Sequence, residues 1–167
     1  MTRTIALQRG GNGSPPASTD TERVADILER ELDVTIHEWM LLVEKEPELS
    51  GIRLSFEERT GHLPRLLHDV IARLRQDKGS KAPISVVASH HGELRRKQGY
   101  TAAMVVDESR ILQVSIFSTL HRNEHLVKFS TLLPDVVTIA DEVDAQLKQQ
   151  ILCFLPGEHV GKQEAKK

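Results

Sequence analysis

The chain reads as an all-α bundle of about five helices, of which a globin-like arrangement is one form, ending in a long C-terminal helix. Three observations predict this. Five segments carry apolar residues at spacings of three and four, almost no stretch alternates apolar and polar residues as a half-buried strand does, and Gly- or Pro-bearing breaks separate the segments.

The first segment opens at Thr19 and Glu22, which fit a capping box, and carries Val24, Leu28, Leu32, Ile36, Trp39 and Val43 on one face. Pro47 and Gly51 mark its end. Ser55 and Glu58 form a second capping box ahead of Leu63, Leu66, Leu67, Val70, Ile71 and Leu74, with Arg65, Asp69 and Arg73 on the opposite face. Pro64 sets a short first turn apart from the body of that helix. After the loop QDKGSKAP, Pro83 suits the first turn of a third helix, whose stripe is Ile84, Val87, Ala88, His91 and Leu94. His91 and Arg95 therefore face inward, and His90 faces solvent. Gly99 stops the helix and Thr101 caps the fourth, whose stripe of Val105, Leu112 and Ile116 includes Glu108. A fifth helix is expected from Pro134, with Val136, Ala140, Val143, Leu147, Ile151 and Phe154 spaced like a coiled-coil seam.

With 167 residues, 39% hydrophobic and 28% charged, the chain is expected to form one core of ordinary size. Residues 1–18 are Gly/Ser/Pro-rich toward their end and are expected to be a disordered lead-in. The helical domain is placed at 19–155, and 156–167 reads as a flexible tail. A net charge of -2 gives no general pull toward nucleic acid or an anionic membrane. Cys153 alone cannot form an intramolecular disulfide or a multi-cysteine zinc site. No apolar run approaches the ~20 residues that span a bilayer, and no secretory h-region is present, so the expected location is the cytoplasm.

Two histidine motifs need weighing. SHHGELRR superficially resembles the phosphoacceptor box of a histidine kinase. Gly92 intervenes between His91 and Glu93, however, and an inward His91 cannot accept phosphate from a second domain. His121, Glu124 and His125 match the H-x-x-E-H pattern of inverted zinc peptidases, but the pattern arises easily among eight histidines and lacks an evident third ligand. The competing reading is a polar helix end whose basic residues complement the dipole. His37, His62 and His68 are expected in solvent, and Trp39 in the core. An inward His91 is compatible with haem ligation, but aromatic residues amount to only 4%. Glu108 facing inward requires a partner, and Arg95 supplies one through a bidentate guanidinium.

His91 and Gly92, Leu94 and Arg95, Gln98 to Tyr100, then Glu108, Arg110 and Leu112 resemble the H-G-x-L-R-x-x-Q-G-Y…E-x-R-x-L signature of the RsbRD N-terminal domain family. The family is named for the RsbT co-antagonist proteins of bacterial stress signalling. Glu38 and Trp39, and His62 to Leu67, add to the likeness, which covers about 24–154. The resemblance implies a non-catalytic input domain with a signalling-type C-terminal helix. It implies partners of the histidine kinase, STAS or regulator type, as in two-component and stress-response systems; separately, no cofactor is expected, haem being the alternative. Both lines of reading converge on His91, Arg95, Tyr100 and Glu108 as one polar cluster. That cluster either fixes helix register or binds a ligand, haem or a small anion, through His91 and Arg95. A homodimer through 134–155 is the expected assembly.

Overall fold

The computed structural model describes residues 21–76 and 84–155, and these are wholly helical in their regular structure. Eight α-helices follow in order: α1 (Val24–Arg30), α2 (Leu32–Val43), α3 (Pro47–Gly51), α4 (Phe56–Thr60), α5 (Leu63–Arg75), α6 (Val86–Lys97), α7 (Ala102–Arg122) and α8 (Phe129–Phe154). A single 3-10 turn, Glu124–Leu126, joins the last two. The fold is an all-α helical bundle. Around one core, α8 packs on α5, α6 and α7, while α1 and α2 lie against α5 and α7.

The predicted first helix is divided. Glu31, at φ -95° and ψ 16°, leaves the helical region and separates α1 from α2. Its apolar face nevertheless continues, with Val24, Leu28, Ile36, Trp39 and Val43 buried and Leu32 half-buried. The predicted capping residue Thr19 lies outside the described residues, and helix α1 opens later than expected, at Val24, with Arg23 extended at its N-cap. Glu22 instead donates its backbone N–H to the Leu126 carbonyl at 2.8 Å and pairs with Arg30, tying the chain's entry to the α7–α8 junction. Pro47 does not terminate α2; it occupies the first turn of α3, where its missing N–H costs nothing.

Ser55 and Glu58 do form a reciprocal capping box, with Ser55 N–H donated to the Glu58 carboxylate at 2.8 Å. The box opens the five-residue α4, and α5 starts afresh with Pro64 in its first turn. Arg73, expected in solvent, is buried, 3.7 Å from Asp141 of α8. Pro83 and the loop before it fall outside the described residues. Helix α6 is capped by Ser85, whose hydroxyl accepts from Ala88 N–H. Ile84, placed on the inner stripe by its spacing, is 78% exposed because it precedes the helix and does not share its face.

Helix α6 ends in a Schellman motif. Gly99 takes φ +85°, its N–H bonds to the Arg96 carbonyl, and Tyr100 N–H bonds to that of Arg95. The reversal brings Thr101 into position to cap α7. Helix α8 starts at Phe129, not at Pro134, which sits inside its exposed N-terminal part. The buried row of α8 is Ile139, Glu142, Val143, Gln146, Gln150 and Phe154. Of the expected seam, only Val143 and Phe154 are fully buried, while Val136, Ala140, Leu147 and Ile151 are half-buried along its flank. The helix is rotated toward its polar side, where the Leu66 carbonyl of α5 accepts from the Gln146 amide.

Candidate functional site: a buried polar cluster between α6 and α7

Apolar periodicity turns α6 and α7 so that His91, Arg95 and Glu108 point into the core. The Schellman stop then delivers Tyr100 to the same place. All four residues are buried and in mutual contact. Arg95 Nε donates to Glu108 Oε2 at 2.9 Å, and Tyr100 donates its hydroxyl to Oε1 at 2.8 Å. His91 Nε2 lies 3.3 Å from Oε2. The guanidinium also sits 4.8 Å above the Tyr100 ring centroid, a cation–π placement.

Arg95 is further occupied by Gln98 Oε1 at 2.8 Å, Glu58 O at 3.2 Å and Arg59 O at 2.8 Å. These bonds spread one desolvated cation over a carboxylate, an amide and two carbonyls, which is what makes its burial affordable. Burial alone would push the Glu108 carboxyl up. The His91 hydrogen bond and the Arg95 charge outweigh it and hold the group below the usual carboxylate range. Burial, together with the Glu108 charge, pushes the Tyr100 hydroxyl up, so it remains a donor.

Two residues join the cluster that periodicity did not place there. His62, expected in solvent, stacks on His91 with ring centroids 3.6 Å apart and planes 18° from parallel. Its other neighbour is Trp39, edge-on at 6.2 Å, while Trp39 donates its indole N–H to the Glu108 carbonyl at 3.2 Å. The relation of His62 to Leu66, four residues on, was the available signal, since it extends the α5 stripe by one turn. Arg59 is buried as well, donating to the Leu49 and Ile52 carbonyls and to the Tyr100 hydroxyl. Burial, with the charges of His91 and Arg95, holds the His62 imidazole well below its usual range. Burial and then the Arg95 charge lower His91 as well, against the opposing bond to Glu108. Both rings are therefore neutral at neutral pH.

Gly92 explains how closely α8 covers the cluster. A Cβ at this position would lie 2.1 Å from the Gln150 carbonyl oxygen, so only glycine lets the α6 and α8 backbones meet there. This packing, the His62 stack on one side of His91 and Glu108 at its Nε2 already engage the ring. The Arg95 guanidinium, already directed at four acceptors, is likewise not presented to a small anion.

The H-x-x-E-H residues lie elsewhere. His121 ends α7, whereas Glu124 and His125 belong to the 3-10 turn, so they do not share one helical face. His121 Nδ1 contacts Glu124 Oε2 at 3.2 Å in solvent. The single grouping of three metal-capable side chains among the described residues is His62, His91 and Glu108. No helix among the described residues is long and apolar enough to cross a membrane.

Comparison with known proteins adds no relative: no family model, no curated protein and no solved structure matches the chain.

Proposed function

We propose that the chain is a non-catalytic regulatory module that acts by protein–protein contact, with a second copy of itself as the partner on the first half of α8. The observation that carries this is a strip of Phe129, Leu133 and Val137, exposed by 81%, 60% and 62%. Spacing of four residues aligns them on one face, with half-buried Leu132 and Val136 beside them. The strip is self-complementary. An antiparallel two-fold pairing sets Leu133 on its own copy and Phe129 against Val137 of the second copy. Exposed apolar surface of this kind is characteristic of interaction sites.

The same helix supplies a route inward, because its C-terminal half packs against α6 at Gly92. A change at the exposed half can thus be felt as a shift over the His91, Arg95, Tyr100 and Glu108 cluster, whose part is to fix register. The resemblance of His91 to Leu112 to the RsbRD N-terminal domains supplies the class of output: a kinase, STAS or regulator-type protein of a bacterial signalling system in the cytoplasm.

Light scattering across a dilution series tests the reading. The expected result is a dimer that Leu133→Glu converts to a monomer of unchanged helix content. A wild-type chain that is strictly monomeric at its highest soluble concentration would overturn it.

A further inference from the structure

One small cavity is bordered by both stacked histidines and by Glu108. The cavity, of about one water molecule's size, is bounded by Trp39, His62, His91, Glu108, Ser109 and Gln150, with leucine side chains completing the wall. His91 Nδ1 and His62 Nδ1 are both sealed from solvent without a partner. Buried polar atoms are rarely left unpaired, so the arrangement calls for an occupant.

We propose that this occupant is a divalent transition-metal ion, zinc being the probe of choice, held by His62, His91 and Glu108. The candidate ligand atoms of the three residues lie within 4.8 Å of one another. Two imidazoles and a carboxylate form a donor set that suits zinc, with a fourth position left to water. Both imidazoles are neutral at neutral pH and so carry the lone pair that a metal requires.

Arg95 does not forbid the ion. If Glu108 Oε2 turns to a metal, the guanidinium keeps Gln98, Glu58 O and Arg59 O as acceptors, and Tyr100 keeps Oε1. The nearby positive charge limits affinity without removing it. Access is provided by a surface groove between α4–α5 and α6, lined by Gly61, Val87 and Leu94 and reaching both His62 and His91. The proposal is independent of the dimer reading, since the α8 strip contributes no ligand.

The test is a titration of the chelator-stripped full chain with zinc and, separately, with cobalt. The expected result is one ion per chain, the visible absorption of low-coordinate cobalt, and a rise in melting temperature that grows with free metal. His62→Gln should weaken zinc binding by at least about tenfold while leaving the circular dichroism spectrum unchanged, because His62 donates no hydrogen bond to the fold. A double variant, His121→Ala with His125→Ala, should bind as the wild type does, which separates the buried site from the exposed pair. Substoichiometric zinc, or equal affinity in His62→Gln, would overturn the proposal and leave a buried water as the occupant.

Discussion

Glu108 receives three donors on two oxygens, from Tyr100, Arg95 and His91, so its removal deprives Tyr100 and His91 of their acceptor and the Arg95 cation of its counter-charge. Glu108→Ala is expected to cost about 3–5 kcal/mol, the range for breaking a buried pair and leaving one charge uncompensated. Denaturant melts measure this, and a curve superimposable on the wild type would refute the role given to the pair. Glu142 presents the opposite case. Its Oε1 accepts from the Gln146 amide at 3.0 Å, but its buried Oε2 has no partner. Burial pushes this carboxyl up against the pull of the Gln146 bond, and the charge of Asp69 adds to the rise. The folded pKa therefore lies above the unfolded one, so the fold favours the neutral acid. That stabilisation is complete below the unfolded pKa and is lost as pH rises through the folded value. Glu142→Gln keeps the acceptor and removes the titration, so it should be more stable than the wild type at neutral pH by about 1 kcal/mol. The gap between the two melting temperatures should widen from acid toward neutral pH; a constant gap would show that Glu142 does not titrate in this way.

At the scale of elements, the contact of α6 with α8 depends on one missing methyl group. Gly92→Ala would force a carbon against the Gln150 carbonyl, where two backbones leave no flexible side chain to yield. The intrinsic helix preference of alanine over glycine favours the substitution by about 1 kcal/mol, but separating the helices costs more. A net loss of about 2 kcal/mol is expected, visible as a lower midpoint in thermal or chemical melts. An increase in stability would mean that the helices part there at little cost. Polar residues on the buried row of α8 follow from the same closeness. Gln146 reaches the Leu66 carbonyl at 3.1 Å, and such a bond exists only where a neighbouring backbone is near enough to receive it.

For the whole molecule, the helical class was legible because each core helix presents an apolar face at its own period. The inward turn of Glu108 could be read for the same reason, and Arg95 followed from the need to neutralise it. What periodicity missed is what depends on a third element. Arg59 sits on a helix of five residues, too short to show a period, and is buried by carbonyls from Leu49 and Ile52. His62 precedes α5 and is half-buried, covered by rings from α2 and α6. On α8, the rule that apolar residues mark the inner face found Val143 and Phe154 but otherwise selected the flank, because Glu142, Gln146 and Gln150 share the buried row. The break at Glu31 is hidden because the apolar stripe runs across it, and Pro47 reads as a stop because proline ends a helix as readily as it starts one.

The Gly99 reversal also bears on the order in which this chain acquires its structure. Arg95 and Glu108 meet across a single tight turn, so the α6–α7 hairpin closes a short loop and gains its ion pair early. The seating of Gln150 against Gly92 closes a much longer one. The register of α6 against α8 is thus fixed after the hairpin that carries the ion pair.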